Sequence, residues 1–349
     1  MKNNSFIYIA LLIVIIWLTA LTTGNISSNQ AAISASEVTD IYHVSGFSTD
    51  FTEVYESCRS AIVSIECGDN LLTGFIYKQE GNDVYVITAS HGLTSEFVNV
   101  HFASSYSAYA SIVKADVYSD VALLKVETPY EMNLLKLGNS SLLKAGEYVL
   151  DIGTAKNLDY AYSCEMGMVS APLRTINNSI TYENETSVYY LDVIQLSSKL
   201  LSGFSGSPII NMNGEAVGMV TMSLDSDIAF ALPINEIRLI AEHMLSGDGV
   251  TKVLLGIKGS YVKDMRNYEK TNLNLSLDVL EGLYVEKIRD NSLAYQAGLR
   301  SQDVIVSING IAIGDFDDYL SIVYTNERSF DFAIIRNGEN LQLQVSGND

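Results

Sequence analysis

A serine, a histidine and an aspartate occupy positions typical of nucleophilic catalysis. Ser205 lies in the stretch SGFSGSPI, whose glycines allow a tight bend that would raise its hydroxyl. His91 ends the apolar run VYVITAS, and Asp120 immediately precedes the apolar run VALLKV. A serine hydroxyl is a poor nucleophile at neutral pH unless a histidine accepts its proton and a carboxylate orients that histidine. The three residues therefore predict acyl-transfer chemistry.

Each of these residues also has an ordinary structural explanation when it is considered alone. A lone histidine is more often structural, an aspartate before a strand is commonly a turn residue, and small-residue loops are frequent. Three other histidines are present: His43 in a polar tether, His101 at a strand end and His243 in a helical segment. The order His, Asp, Ser favours catalysis, because it places the first two residues in one set of strands and the third in another.

The composition excludes several classes of function. The 349 residues carry a formal net charge of −20, which repels phosphate backbones and argues against a nucleic-acid partner. Cys58, Cys67 and Cys164 are too few for a disulfide framework; one bridge with one remaining thiol, or three free thiols, both stay open. There is no CxxC pair and no His/Cys cluster with metal-ligand spacing, so we expect neither a metal nor another cofactor.

The N-terminus predicts a membrane anchor. Lys2 precedes an apolar run from Phe6 to about Leu21 that is nearer the length of a spanning helix than that of a signal-peptide core. We favour an uncleaved transmembrane helix over a cleaved signal peptide or a buried core helix. The anchor or signal sequence would occupy residues 1–24 and a linker residues 25–48. In either of the first two cases the body lies outside the cytoplasm, secreted if the segment is cleaved.

Short apolar runs separated by Gly, Asn and Asp predict antiparallel β structure after a short helix in DFTEVYESCRSA. They form two sets of six, which suggests two similar barrels. The first set is AIVSIEC, LLTGFIYK, VYVITAS, FVNVHF, ASIVKA and VALLKV; the second is EYVLDIG, EMGMVSA, VYYLDVIQL, SPIINMNG, AVGMVTM and IAFALPI. A helical pattern over 234–245 closes the second set. Residues 247–349 then predict a small α+β module with a hairpin turning at Asn337-Gly338.

Several of these stretches resemble a known family. VITASH, SDVALLKV and GFSGSP resemble the catalytic blocks of trypsin-like serine proteases, and SPIINMNGEAVGMV followed by IAFALPI is similar to the HtrA/Deg branch. LLGI and GLYVEKIRDNSLAYQAGLRSQDVIVSING resemble a PDZ domain. The resemblance covers residues 51–345. It implies a mainly β fold, with a trypsin-like double β-barrel over residues 49–246 and an α+β PDZ domain over residues 247–349, as in membrane-anchored members.

The resemblance assigns a role to each catalytic residue. Ser205 would attack the scissile carbonyl, His91 would accept its proton and pass it to the leaving amine, and Asp120 would orient the imidazole. The backbone N–H groups of Gly203 and Ser205 would form the oxyanion hole. Two departures from the family pattern adjoin the nucleophile: Phe204 replaces a polar residue, and Ser207 replaces a glycine.

The resemblance also implies a peptide-binding loop in the PDZ domain. The N–H groups of Leu255, Gly256 and Ile257 would receive the carboxylate of a C-terminal peptide, and Leu254 and Ile257 would border its side-chain pocket. Homotrimeric assembly is a further family trait. Lys199 before the nucleophile block would favour acidic side chains if it lines the specificity pocket; the alternative is a lysine that points to solvent.

Two functional hypotheses follow. The first is an extracytoplasmic serine endopeptidase that cleaves misfolded or regulatory proteins in protein quality control and the stress response, regulated by peptides at the PDZ domain. The alternative is a peptide-binding stress sensor or chaperone whose protease domain is silent or nearly so.

Overall fold

The computed structural model describes residues 50–182, 185–198, 201–224, 228–248 and 252–346. These residues belong to one compact unit. The segments predicted as anchor (1–24) and linker (25–48) lie outside the described residues. Within the described ranges, no helix has the length and apolar character needed to cross a membrane.

Six antiparallel strands close into a first barrel. A short helix precedes them, and the Asp50 carboxylate caps it by accepting from the N–H of Thr52 (2.9 Å). The helix is α1 (Phe51–Cys58), and the strands are β1 (Ile62–Cys67), β2 (Asn70–Glu80), β3 (Asp83–Ala89), β4 (Val98–Phe102), β5 (Ser107–Asp116) and β6 (Val121–Glu127). They pair in the order β1-β2-β3-β6-β5-β4. Buried valine, isoleucine and leucine side chains from these strands fill the core.

A second barrel of six strands follows, and a helix closes it. The elements are β7 (Tyr148–Gly153), β8 (Ser163–Tyr182), β9 (Glu185–Leu196), β10 (Pro208–Asn211), β11 (Ala216–Leu224), β12 (Ile228–Pro233) and α2 (Ile234–Ser246). The pairing order is β10-β11-β12-β9-β8-β7. The two sets of six strands and the closing helix predicted from sequence are confirmed. The β8–β9 hairpin is longer than predicted, because β8 continues well past Ala171.

The C-terminal module is a sheet with helices. Its elements are β13 (Ile257–Tyr261), α3 (Asn267–Asn272), β14 (Leu283–Ile288), α4 (Leu293–Ala297), β15 (Val304–Ile308), β16 (Ile311–Ala312), α5 (Phe316–Val323), β17 (Ser329–Arg336) and β18 (Glu339–Ser346). Five strands run in the order β13-β14-β15-β17-β18, and β16 pairs with β15. The β17–β18 hairpin turns at Asn337-Gly338, where both residues have positive φ, as the sequence predicts.

The second barrel and the C-terminal module share one apolar cluster. Ile237, Ile240 and Met244 of α2 belong to it, as do Val323 and Tyr324 at the end of α5. The boundary predicted at residues 246–247 coincides with the end of α2, and as a domain boundary it stays a prediction.

Candidate active site

Strand pairing in the first barrel brings His91 and Asp120 together. Strands β3 and β6 are antiparallel, and Ala89 at the end of β3 lies opposite Val121 at the start of β6. His91 lies two residues beyond β3, and Asp120 immediately precedes β6. His91 and Asp120 are far apart along the chain, but they therefore lie side by side at the same edge of the barrel.

The three predicted catalytic residues form one hydrogen-bonded line. Nδ1 of His91 lies 2.9 Å from Oδ2 of Asp120, and Nε2 of the same ring lies 3.1 Å from Oγ of Ser205. The side chain of His91 remains 48% exposed, whereas that of Asp120 is 10% exposed. The imidazole can therefore exchange a proton with the serine hydroxyl at a position that a substrate can reach.

The carboxylate of Asp120 is surrounded by donors. The N–H of His91 (2.9 Å) and the hydroxyl of Ser90 (3.2 Å) both donate to Oδ1, and the hydroxyl of Thr221 donates to Oδ2. Thr221 lies on β11, so both barrels hold this carboxylate. These contacts fix the position of the carboxylate, which in turn orients the imidazole.

The electrostatic effect on His91 follows from this contact. The hydrogen bond to Asp120 raises the pKa of His91 above its ordinary value of 6.5, burial of the ring opposes the rise, and the charge of Asp120 adds to it. A histidine acts as a base only in its neutral form. His91 is therefore fully available as a base only at pH values above its raised pKa.

The loop that carries Ser205 is clamped against the first barrel. The carbonyl of Ser205 accepts from the N–H of Thr73 (2.9 Å), and the carbonyl of Gly203 accepts from the Thr73 hydroxyl (2.7 Å). Gly203 and Gly206 have φ values of 96° and 86°. A Cβ atom at either glycine would collide with backbone oxygen, that of Thr154 or of Thr73 respectively. Glycine is required at both positions, because the loop passes against backbone in a conformation that other residues rarely adopt.

The two N–H groups predicted to form the oxyanion hole have defined directions. The carbonyl of Ser202 accepts a backbone hydrogen bond (2.8 Å), and the carbonyl of Phe204 accepts from the N–H of Ser207 (2.9 Å). The N–H of a trans peptide points away from its carbonyl. The N–H group of Gly203 therefore points in the direction opposite to the carbonyl of Ser202, and that of Ser205 in the direction opposite to the carbonyl of Phe204.

Both departures from the family pattern next to Ser205 face inward. Phe204 is fully buried, and its ring lies against Gly153 of β7. The hydroxyl of Ser207 donates to Oδ1 of Asp151 (2.5 Å). Burial raises the pKa of Asp151 well above its ordinary value, and the hydrogen bond from Ser207 only partly opposes this. An apolar contact and a buried polar contact thus anchor the nucleophile loop to the second barrel. Lys199 lies outside the described residues.

The predicted peptide-binding loop forms a tight turn in the C-terminal module. Gly256 has a φ of 78°, and its carbonyl accepts from the N–H of Arg289 (2.9 Å). The N–H of Leu255 donates to the carbonyl of Val253 (3.2 Å), so this group is occupied within the loop. Leu255 and Ile257 are buried, and Leu254 is partly buried.

Strand β9 covers this loop. Residues 252–257 and Tyr189, Tyr190 and Asp192 of β9 enclose a cavity of about 20 Å³. Arg289 adds to the cover, because its guanidinium donates to the carbonyl of Val188. A cavity of this size holds about one water molecule. In this conformation the cavity at the loop has no room for a peptide side chain.

The remaining histidines and the cysteines take no part in this arrangement. His101 pairs with Glu66 (2.8 Å), and His243 pairs with Asp248 (2.7 Å). His43 lies outside the described residues. The three cysteines are free thiols, which decides between the two alternatives left open by the sequence.

Comparison with known proteins agrees with both parts of the fold. The profile of the trypsin-like peptidase domain matches residues 72–219, and that of the PDZ domain matches residues 284–336. The serine protease Do-like HtrA of Bacillus subtilis is 29% identical over 285 residues, covering 78% of this chain and 62% of that protein. The protein of the same name from Lactobacillus helveticus is 27% identical, covering 78% of this chain and 67% of that protein.

The chain therefore carries a trypsin-like peptidase domain followed by a PDZ domain, and it is similar to HtrA-type serine proteases.

Solved structures show the same fold. The HtrA-type protease AlgW with tripeptide has a TM-score of 0.60 and 21% identity, covering 85% of this chain and 96% of that chain. The serine endoprotease from Yersinia pestis has a TM-score of 0.53 and 20% identity, covering 86% of this chain and 98% of that chain. The chain spans about six-tenths of the length of its Bacillus relative.

Some residues around this site had not been identified from the sequence. Thr221 looked like an ordinary residue of the strand AVGMVTM, yet its hydroxyl contacts Asp120. Asp151 looked like a polar break in the run EYVLDIG. The only sequence signal for its contact with the nucleophile loop was Ser207, which replaces a glycine of the family pattern. No sequence signal linked Glu236, Lys252 and Tyr324, which meet between α2 and the PDZ domain.

Proposed function

We propose that the chain is a serine endopeptidase that works through an acyl-enzyme, with Ser205 as nucleophile, His91 as general base and acid, and Asp120 as the orienting carboxylate. The observation that carries this proposal is the 3.1 Å contact between Nε2 of His91 and Oγ of Ser205, with Asp120 on the other ring nitrogen.

The geometry supports the following sequence of steps. Oγ of Ser205 attacks the carbonyl carbon of a peptide bond while its proton passes to Nε2 of His91. The C–N bond then breaks, and the same Nε2–H protonates the leaving amine. Water hydrolyses the resulting ester with His91 again as base. The N–H groups of Gly203 and Ser205 would stabilise the oxyanion, and losing one such donor typically costs about 10²–10³ in turnover.

We further propose that the substrates are misfolded or regulatory proteins outside the cytoplasm. The apolar run after Lys2 supports an N-terminal membrane anchor, and assembly as a homotrimer follows from the family resemblance. A C-terminal peptide would bind the loop at residues 254–257 by adding a strand to the PDZ sheet. The AlgW structures with a tripeptide and with a decapeptide support the idea of peptide binding for this chain. Because β9 covers the loop, peptide binding would be coupled to movement of β9.

Labelling with a fluorophosphonate tests the proposal. The full-length chain should label at Ser205, the Ser205→Ala variant should not, and C-terminal peptides should change the rate. Casein digestion by the same two proteins gives the matching test of turnover. Equal and negligible digestion by both, with peptide binding retained, would instead support a stress sensor or chaperone with a silent protease domain.

A further inference from the structure

The oxyanion hole of the proposed mechanism depends on the direction of the N–H of Gly203. This N–H belongs to the peptide that Gly203 shares with Ser202, and a glycine lets such a peptide rotate because it has no Cβ to hinder the rotation. Half a turn would point the N–H away from a bound carbonyl oxygen and the carbonyl of Ser202 towards it. The contacts that hold the peptides on either side of Gly203 therefore determine whether the site can stabilise an oxyanion.

The hydroxyl of Thr73, on β2 of the first barrel, holds the peptide that follows Gly203. It donates to the carbonyl of Gly203 (2.7 Å) and accepts from the N–H of Thr154 (2.9 Å), so its proton and a lone pair are both engaged. Thr73 and Thr154 are 0% and 1% exposed. Thr154 directly follows β7, so a single buried hydroxyl joins the nucleophile loop to both barrels.

The loop that begins at Thr154 holds the peptide that precedes Gly203. Two residues further on, the N–H of Lys156 donates to the carbonyl of Ser202 (2.8 Å). Lys156 has a φ of 63°, a conformation that residues other than glycine keep only where their surroundings hold it. The carbonyl oxygen of Thr154 would lie 2.1 Å from a Cβ added to Gly203. The start of this loop, which the Thr73 hydroxyl anchors, therefore packs directly against the oxyanion-hole residue.

We propose that Thr73 is a positioning residue of the oxyanion hole: its hydroxyl holds the peptides on both sides of Gly203, one directly and one through the loop 154–156. The N–H of Gly203 is thereby kept facing the substrate. This inference rests on the proposed function, because it concerns the same site. It goes beyond that function by giving a role in transition-state stabilisation to a buried side chain of the first barrel.

Substitutions of similar shape separate the hydroxyl from the packing of the side chain. Thr73→Val keeps the shape and removes the hydroxyl, whereas Thr73→Ser keeps the hydroxyl. The matched control is Thr128→Val, because Thr128 is 1% exposed and its hydroxyl accepts from the N–H of Tyr130 (3.2 Å). Thr128 follows the end of β6, and Asp120 precedes the start of that strand. Both valine variants should lower thermal stability, but only Thr73→Val should slow the reaction of folded protein.

The test is saturation kinetics of fluorophosphonate labelling of the full-length chain at several pH values. For Thr73→Val we expect the rate constant at saturation to fall roughly tenfold, the effect of about one lost hydrogen bond, with the half-saturating reagent concentration within about twofold of the wild type. The pH midpoint should not move, because the contacts of His91 with Asp120 and Ser205 are retained. Thr73→Ser and Thr128→Val should match the wild type in all three quantities.

Two changes at Lys156 test the other peptide. Lys156→Gly keeps the N–H and suits the positive φ, whereas Lys156→Pro has no N–H and cannot adopt that φ. The proline variant should therefore have the lower rate constant at saturation, again with an unchanged pH midpoint.

Wild-type protein that labels, with Thr73→Val of equal rate constant, would overturn the inference, and so would an equal fall in Thr128→Val. If Thr73→Val does not fold, equal rate constants in Lys156→Gly and Lys156→Pro would overturn it. Absence of labelling in the wild type would instead refute the proposed function, and the inference with it.

Discussion

Two aspartates approach the nucleophile loop from different barrels, and their surroundings differ. Asp120 of the first barrel accepts from the N–H and the imidazole of His91, and from the hydroxyls of Ser90 and Thr221. Asp151 of the second barrel is 2% exposed and accepts only from the hydroxyl of Ser207, and its Oδ2 has no hydrogen-bond partner among the described residues.

The difference shows how one residue type serves two purposes in one site. Several donors around a carboxylate compensate the cost of burying its charge, whereas a buried carboxyl with one donor is more stable when protonated. Asp120 is therefore suited to hold a charged or polarised imidazole. Asp151 is suited to act as a neutral hydrogen-bonding group that anchors the loop. Removing the charge should therefore be costly at Asp120 and tolerated at Asp151. Removing the hydrogen-bond donor to Asp151 should instead lower the stability of the fold.

The largest effect is expected for Asp120→Asn. An amide NH₂ facing Nδ1 of His91 would force the proton onto Nε2, which could then not accept the proton of Ser205. We expect the labelling rate and turnover to fall by roughly 10⁴, as for the loss of the orienting carboxylate in such triads. The rate is measured with a fluorophosphonate and compared with Asp159→Asn, a change at an exposed aspartate. A fall of less than about tenfold would show that Asp120 does not set the tautomer of His91.

An intermediate effect on stability is expected for Ser207→Ala. The change removes the one donor to Asp151 and leaves a buried carboxyl without a partner. We expect the free energy of unfolding to fall by about 1–3 kcal/mol, the usual cost of such a group. Urea denaturation measures the change, with Ser111→Ala on the exposed side of β5 as the control. Equal stability of the two variants would mean that the contact between Ser207 and Asp151 contributes nothing measurable.

The comparison also shows what the sequence could predict. Short apolar runs predicted the twelve strands of the two barrels, and the order His91, Asp120, Ser205 predicted a site between the barrels. The Ser207–Asp151 hydrogen bond joins residues 56 positions apart and leaves no periodic signal. The predicted strand EMGMVSA ends at Ala171, and Pro172 follows it. In the structure the strand continues, because irregular pairing around residues 169–174 accommodates the proline within the ladder.

The smallest effect is expected for Asp151→Asn, and its dependence on pH is the informative part. Burial raises the pKa of Asp151 well above its ordinary value of 3.8, so the folded protein releases this proton at a higher pH than the unfolded chain does. The raised pKa therefore lowers the stability of the wild type as the pH rises from that value through the folded pKa. Asparagine has no such proton but still accepts from Ser207. Its stability relative to the wild type should be within about 1 kcal/mol at about pH 5 and should become more favourable towards about pH 8. Urea midpoints at the two pH values measure this, and a difference that does not change with pH would mean that Asp151 is charged in the folded protein.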